Sequence, residues 1–195
     1  RTNFDHPVAA MSTFLDELAA VDGPPPERLL LGAQGPKMLD LAAVRTAGAH
    51  PYNVSVGHTA QARARLGTAL LAPQQAVILD DDRDAALDLA RHTLALHLTM
   101  GNYRRSWERI GFGPEDFANG GSDALLSALF AVGGIDGVTR RIDEHLAAGA
   151  DHVCVQVIAA GVDEFRFDTA PDITVLLDAW TRISDALGLR PSDRL

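Results

Sequence analysis

Short apolar runs that stop at glycine or proline, each followed by a stretch of helical periodicity, constrain this chain more than any other feature. Leu29-Leu30-Leu31 ends in Gly32-Ala33-Gln34-Gly35-Pro36, and a helix is expected from Lys37 to Ala47 with Met38, Leu41 and Ala42 inward and Gly48 closing it. An apolar run bounded by turn residues reads as a buried strand. The cycle repeats with an expected strand at Ala49–Val54 and a helix from about Thr59 to Leu66. A third strand is expected at Gln75–Leu79, before a helix marked by Leu87, Ala90, Leu94 and Leu98. The run DHVCVQVI, from Asp151 to Ile158, is the clearest strand; Val153, Val155 and Val157 are expected on one buried face and Cys154 and Gln156 on the other.

Helical spacing also links Val8, Met11, Leu15 and Leu18 behind Pro7, and the stiff connector Asp22-Gly23-Pro24-Pro25-Pro26 ends that helix. The third strand–helix pair is stretched by an insertion at about 101–134 that holds an expected helix at Ala124–Val132. Asp136 is then expected to cap a helix with Val138, Ile142 and Leu146 inward, ended by Gly149. Beyond it, GVDEFRFDT reads as a loop, and Ile173, Leu176, Trp180, Ile183 and Leu187 mark a last helix. Four strand–helix pairs imply an α/β fold of parallel units with right-handed crossovers. Two closures fit them equally: an open doubly wound sheet, or half of an eight-stranded barrel.

At 195 residues the chain can bury a core of its own, and one domain is expected. Its net charge of −9 argues against nucleic acid as the main partner, because phosphate backbones need clustered cations. No apolar run reaches the roughly 20 residues that cross a bilayer. With no signal peptide pattern and Cys154 as the single cysteine, a cytoplasmic location is expected. The seven histidines show neither HxxxH nor HExxH spacing, which argues against zinc.

Chemistry is expected where strands end. A glycine-rich strand end before a helix makes an anion site, because free N–H groups and the helix dipole point outward together; Lys37 adds charge to it. Taken alone, LLLGAQGPKM is explained as well by a tight strand–helix turn, and it is neither a Walker loop nor a GxGxxG fingerprint. His50-Pro51-Tyr52 falls at the C-terminal end of an expected strand, where parallel α/β folds bind ligands. There His50 could move a proton and Tyr52 could stack or hydrogen-bond, although a packed, satisfied pair would look the same. Asp80-Asp81-Asp82 and Gly120-Gly121-Ser122-Asp123 read as helix caps. Gln156 either meets backbone groups or lines a cavity.

Together these stretches are more specific than any one of them. LLLGAQGPKMLDLAAVRTAGAHPYNV resembles a pattern in which a strand ends in a Gly-Pro-Lys-Met turn, followed by a helix and a Gly-Ala-His-Pro-Tyr strand. ALHLTMGNYRRSWERIGF, GGSDALLSALFAVG and HLAAGADHVCVQVI resemble later stations of the same family in the same order, so that about residues 7–160 are covered. The family is the luciferase-like monooxygenase superfamily, in its subgroup of oxidoreductases that use the 5-deazaflavin coenzyme F420.

The resemblance implies a (β/α)8 TIM-type barrel with its cofactor at the C-terminal face. Residues 29–158 would supply strands five to eight, residues 7–20 the helix after strand four, and the insertion would lie over the mouth. Gln34, Gly35, Pro36 and Lys37 would run beside the coenzyme side chain, with His50, Tyr52 and Gln156 facing substrate. Strands one to four, which carry the family's residues near the deazaflavin ring, are expected before Arg1, and no catalytic residue is assigned. The implied activity is hydride transfer between F420 and a small organic substrate. FMN-dependent monooxygenation and a non-catalytic half-barrel acting as an assembly unit are the alternatives. Because a half-barrel leaves two open sheet edges, a homodimer or pairing with an N-terminal half is expected.

Overall fold

The computed structural model describes residues 6–161 and 173–189; residues 162–169 of the expected loop GVDEFRFDT lie outside them. Contacts divide the chain into two compact units, residues 1–74 with 145–154, and residues 75–144 with 155–195.

In the first unit, α1 (Pro7–Ala20) starts on proline and turns Leu15 into the core. A 3-10 turn (Pro26–Arg28) leads to β1 (Leu30–Leu31), α2 (Pro36–Arg45), β2 (Gly48–Ala49), α3 (Val56–Leu66) and β3 (Leu70–Leu71). The three strands form a parallel sheet in the order β1-β2-β3, with Leu30 and Leu70 both in register with Gly48. Alternation gives that sheet two faces. Leu31, Ala49 and Leu71 pack with Leu15, Ala33, Leu39, Ala42, Ala62 and Leu66 into one core. On the other face Leu30 and Leu70 are each 38% exposed. Leu39 and Ala42 are the buried residues of α2, whereas Met38 and Leu41, expected inward, pack at the margin of the core.

Arg63 ties this unit together. Its guanidinium donates to the carbonyls of Gly149 (2.8 Å), Gly67 (2.7 Å) and Ala69 (2.9 Å) and to the Asp151 carboxylate (2.5 Å). Asp151 in turn accepts from the backbone N–H of Leu71 at 2.8 Å. Beside it, the fully buried Thr59 and His145 join through Oγ1 and Nδ1 at 2.8 Å.

The second unit is built around β4 (Gln74–Ile78), central in a sheet of order β5-β4-β6. Pro73 stands between β3 and β4 and has no N–H to give to a ladder. After β4 come α4 (Arg83–Leu98), α5 (Gly101–Glu108), a 3-10 segment (Pro114–Gly120), α6 (Asp123–Leu129) and β5 (Phe130–Val132). The chain continues through α7 (Ile135–Ala147), β6 (Cys154–Val157) and α8 (Thr174–Ala186). Asp82 caps α4 by accepting from the amides of Asp84 and Ala85, and Ser122 caps α6 by accepting from Leu125. Leu87, Ala90, Leu94 and Leu98 of α4 face the core as their spacing requires, against Ile78, Trp107, Leu125, Leu126 and Phe130.

Several expectations are corrected. The fold is mixed α/β with two parallel three-stranded sheets, and the described residues form no closed barrel. Among the described residues six short strands stand where four were expected. Leu70–Leu71 is too brief to leave a periodic signal, and residues 130–132, expected to end the helix of the insertion, form β5 and pair in parallel with β4. The second strand stops at Ala49, before His50. β6 lies at a sheet edge instead of in the centre of the core, so Val155 and Val157 are only half-buried along with Cys154 and Gln156. On α7, His145 is buried and Leu146 is 44% exposed, the reverse of the expected inward Leu146. Asp136 sits inside the first turn of that helix, not at its cap. On α8 the buried residues are Ala179 and Ile183, while Trp180 is 41% exposed.

Gly48 is needed where it stands. A Cβ there would lie 1.9 Å from the Leu70 carbonyl oxygen, a backbone atom that cannot move without breaking the β2–β3 ladder. Gly48→Ala is expected to cost about 3 kcal/mol or more, read as a lower urea midpoint at unchanged m-value.

His97, at the inner end of α4, packs edge-on to Tyr103 with ring centroids 4.8 Å apart. Burial lowers its pKa from the ordinary 6.5, and a backbone bond at Thr93 offsets this only in part. A histidine whose folded pKa is depressed binds fewer protons folded than unfolded. Its contribution is therefore complete above 6.5, declines as pH falls from there to the depressed value, and is constant below. Urea midpoints should fall across that window in the native chain, and His97→Gln should flatten that part of the profile.

Candidate functional site

The C-terminal edge of the β1-β2-β3 sheet gathers three loops, after Leu31, after Ala49 and after Leu71. Their order follows from the parallel topology, which sends every strand end to the same edge.

Hydrogen bonds knit the loops together. Gln34 donates through Nε2 to the Tyr52 carbonyl at 2.5 Å, and the Gln34 carbonyl accepts from Nε2 of the buried His58 at 3.0 Å. His50 donates its backbone N–H to Leu31 at 2.8 Å. Its ring Nδ1 lies 2.7 Å from the Ala72 carbonyl. Gln74 donates its N–H to the Pro51 carbonyl and accepts, through Oε1, the N–H of Asn53 at 3.2 Å. The first two loops, expected from sequence to carry chemistry, are thus brought to one edge, with the third behind them. Gln156 belongs to the second unit, where it lies half-buried on β6.

Pro36 occupies the first position of α2 and Gly35 its cap. Gly35 has φ −87° and ψ 152°, extended backbone that any residue adopts. Its own carbonyl accepts the N–H groups of Met38 (3.1 Å) and Leu39 (3.0 Å). Since Pro36 has no N–H, the donors left for a ligand are the amides of Gly35 and Lys37, fewer than a regular helix start offers. Lys37 is exposed and is the only lysine in the chain; no carboxylate among the described residues pairs with it. The loop can therefore hold an anion through two amides and one ammonium group.

Sequence reasoning did not single out Asn53, His58 or Gln74. Asn53 is buried at 4% exposure with φ 52°, in the left-handed region. It turns the chain from Tyr52 into Ser55, whose hydroxyl caps α3 by accepting from His58. An Asn-Val-Ser sequence before a helix is the available signal for such a turn, because asparagine enters the left-handed region more readily than other residues. Cys154, on β6, has its thiol pKa raised by burial, which disfavours the thiolate.

Asn53→Ala should cost about 1 kcal/mol, the strain of a Cβ residue at positive φ, whereas Asn53→Gly should be near neutral. Parallel urea titrations check the pair; equal losses would assign the position to side-chain bonding instead of backbone conformation.

No family profile and no curated protein matches the chain. Among solved structures it is similar to an F420-dependent secondary alcohol dehydrogenase in complex with an F420-acetone adduct, with a TM-score of 0.43 and 12% identity. The match covers 63% of this chain and 41% of that one, so the chain spans less than half the length of that structure.

Proposed function

We propose that this chain supplies the coenzyme-tail side of an F420-dependent oxidoreductase of the luciferase-like kind, which transfers hydride to or from a small organic molecule. The observation that carries the reading is the lone lysine at the C-terminal edge of a parallel sheet. In a chain of net charge −9 no carboxylate among the described residues pairs with it, and the amides of Gly35 and Lys37 lie beside it. The likeness of residues 29–54 to the family's strand–turn–helix–strand pattern supplies the identity of the anion.

The residues present fit the tail of such a coenzyme. Its phosphate or carboxylate groups would meet the Gly35 and Lys37 amides and the Lys37 ammonium at the positive end of α2. When bound, the deazaflavin supplies the hydride chemistry, and the protein binds and orients it. Gln34 acts one step away: its bond to the Tyr52 carbonyl holds the anion loop against the loop that carries His50 and Tyr52, the side chains read as facing substrate. Gln156 is read in the same role from its own unit.

The assembly reading has one observation of its own. Leu30 and Leu70, both apolar and 38% exposed on one sheet face, form a surface that a second copy would cover. It does not compete with the coenzyme reading.

An anaerobic absorbance titration of the chain with F420, and separately with FMN, tests the proposal. Lys37→Ala should weaken F420 binding by about 0.5–2 kcal/mol at low salt, and by less as salt screens the native contact. Because no second lysine exists, amine acylation inside the chain reads Lys37 alone. F420 should protect it, and unchanged affinity in Lys37→Ala together with unprotected acylation would reduce the loop to a turn.

A further inference from the structure

The bond between His50 and Ala72 decides what kind of group this edge can receive. A carbonyl oxygen only accepts, so the Nδ1 that lies 2.7 Å from it must carry the ring proton. In the neutral imidazole the other nitrogen then has a lone pair and no proton. The backbone N–H of His50 is committed to Leu31, and Nε2 makes no hydrogen bond to a described residue. The ring is only half-buried. Its loop is held on both sides, by Gln34 at Tyr52 and by Gln74 at Pro51 and Asn53.

We infer that His50 is an acceptor contact for the bound molecule, specific for a ligand O–H or N–H group. Fixing a histidine by a carbonyl at Nδ1 is how protein sites hold a chosen tautomer while leaving Nε2 for a ligand. A ligand carbonyl, carboxylate or phosphate oxygen would meet Nε2 lone pair to lone pair and be disfavoured. A metal ion is the other partner such a nitrogen takes, but among the described residues no group of three ligating side chains exists. The edge is thus chemically divided. The loop at residues 34–37 offers donors and positive charge to an anion, and His50 offers an acceptor to a neutral hydroxyl or N–H. This inference rests on the reading that the edge binds a ligand, and it adds the polarity of the substrate-facing half.

The test uses the 195-residue chain labelled with 15N. Long-range proton–nitrogen correlations of the histidine rings, with His50 assigned by its absence in His50→Asn, should show Nδ1 protonated and Nε2 bare in the neutral ring. Phenol and anisole, alike in size but differing in the O–H, are the probes. Phenol should shift the His50 Nε2 resonance and bind about fivefold or more tighter than anisole, the scale of one hydrogen bond. His50→Asn keeps a donor near the Nδ1 position for Ala72 and has no acceptor atom that reaches the Nε2 position, so it should remain folded and treat both probes alike. A protonated Nε2, no response of Nε2 to phenol, or equal binding of the two probes to the native chain would overturn the inference. The coenzyme reading fails separately: loss of F420 binding with the phenol preference intact removes the deazaflavin and leaves His50 as assigned.

Discussion

Arg63 is the residue on which the first unit hangs. Its five N–H donors lie in a fixed fork, and the structure spends them on three carbonyls and one carboxylate drawn from segments more than 80 residues apart in sequence. Gly67 and Ala69 are held just before β3, and Asp151 receives the Leu71 amide, so the position of β3 is set through this one side chain. Gly149 shows how tight the arrangement is. At φ 103° it occupies a conformation that suits glycine, and a Cβ there would fall 2.7 Å from the Arg63 stem. The ion pair itself is partly exposed, with Arg63 at 23% and Asp151 at 48%, and contributes modestly as a charge pair. Its larger role is to satisfy carbonyls at a turn that would otherwise lack donors.

From β3 the constraint passes to the site. The residues that follow it, Ala72 and Gln74, present the carbonyl that orients the His50 ring and the amide that holds Asn53. Backbone geometry at one strand end is in this way converted into the protonation pattern of a side chain on the neighbouring loop. The sheet brings these ends close because its interior is lined with small residues: Ala33, Ala42, Ala49 and Ala62 are all fully buried. With Gly48 at the centre of the sheet, strands and helices approach nearer than branched side chains would permit.

What the sequence disclosed follows from the range of the interactions involved. The stripes on α1 and α4, the caps at Asp82 and Ser122, and the turn ahead of α2 are local features, written in residues a few positions apart, and they were legible. β3 and β5 were not, because two or three residues carry no period. Phe130-Ala131-Val132 moreover continues the apolar run of α6 without a breaker until Gly133. β6 was read as central because its residues are apolar, yet apolarity does not say how many neighbours a strand has, and here it has an edge. Arg63, Gln74 and the buried pair Thr59–His145 depend on partners 21 to 88 residues away. No spacing rule reaches that far.

The second unit shows the same economy with buried polar groups. Gln75 is fully buried at the start of β4, yet its amide donates to the carbonyls of Ala76 and Leu129. A glutamine in such a place costs little because both donors are used, and it joins the end of α6 to the strand that β5 pairs with. Asp116 works likewise at the surface. It accepts from the Ser122 hydroxyl at 2.6 Å and from the Gly113 amide at 2.9 Å, and these bonds lower its carboxyl pKa. A carboxylate so engaged fixes the turn ahead of α6, whose cap is that same serine. In both units, then, the irregular segments are ordered by single polar side chains that each bind two or more backbone or capping groups. The candidate site differs in one respect. Gln34, Gln74 and Asn53 hold the loops together, and among the described residues His50 Nε2 and the Lys37 ammonium take no part in that network.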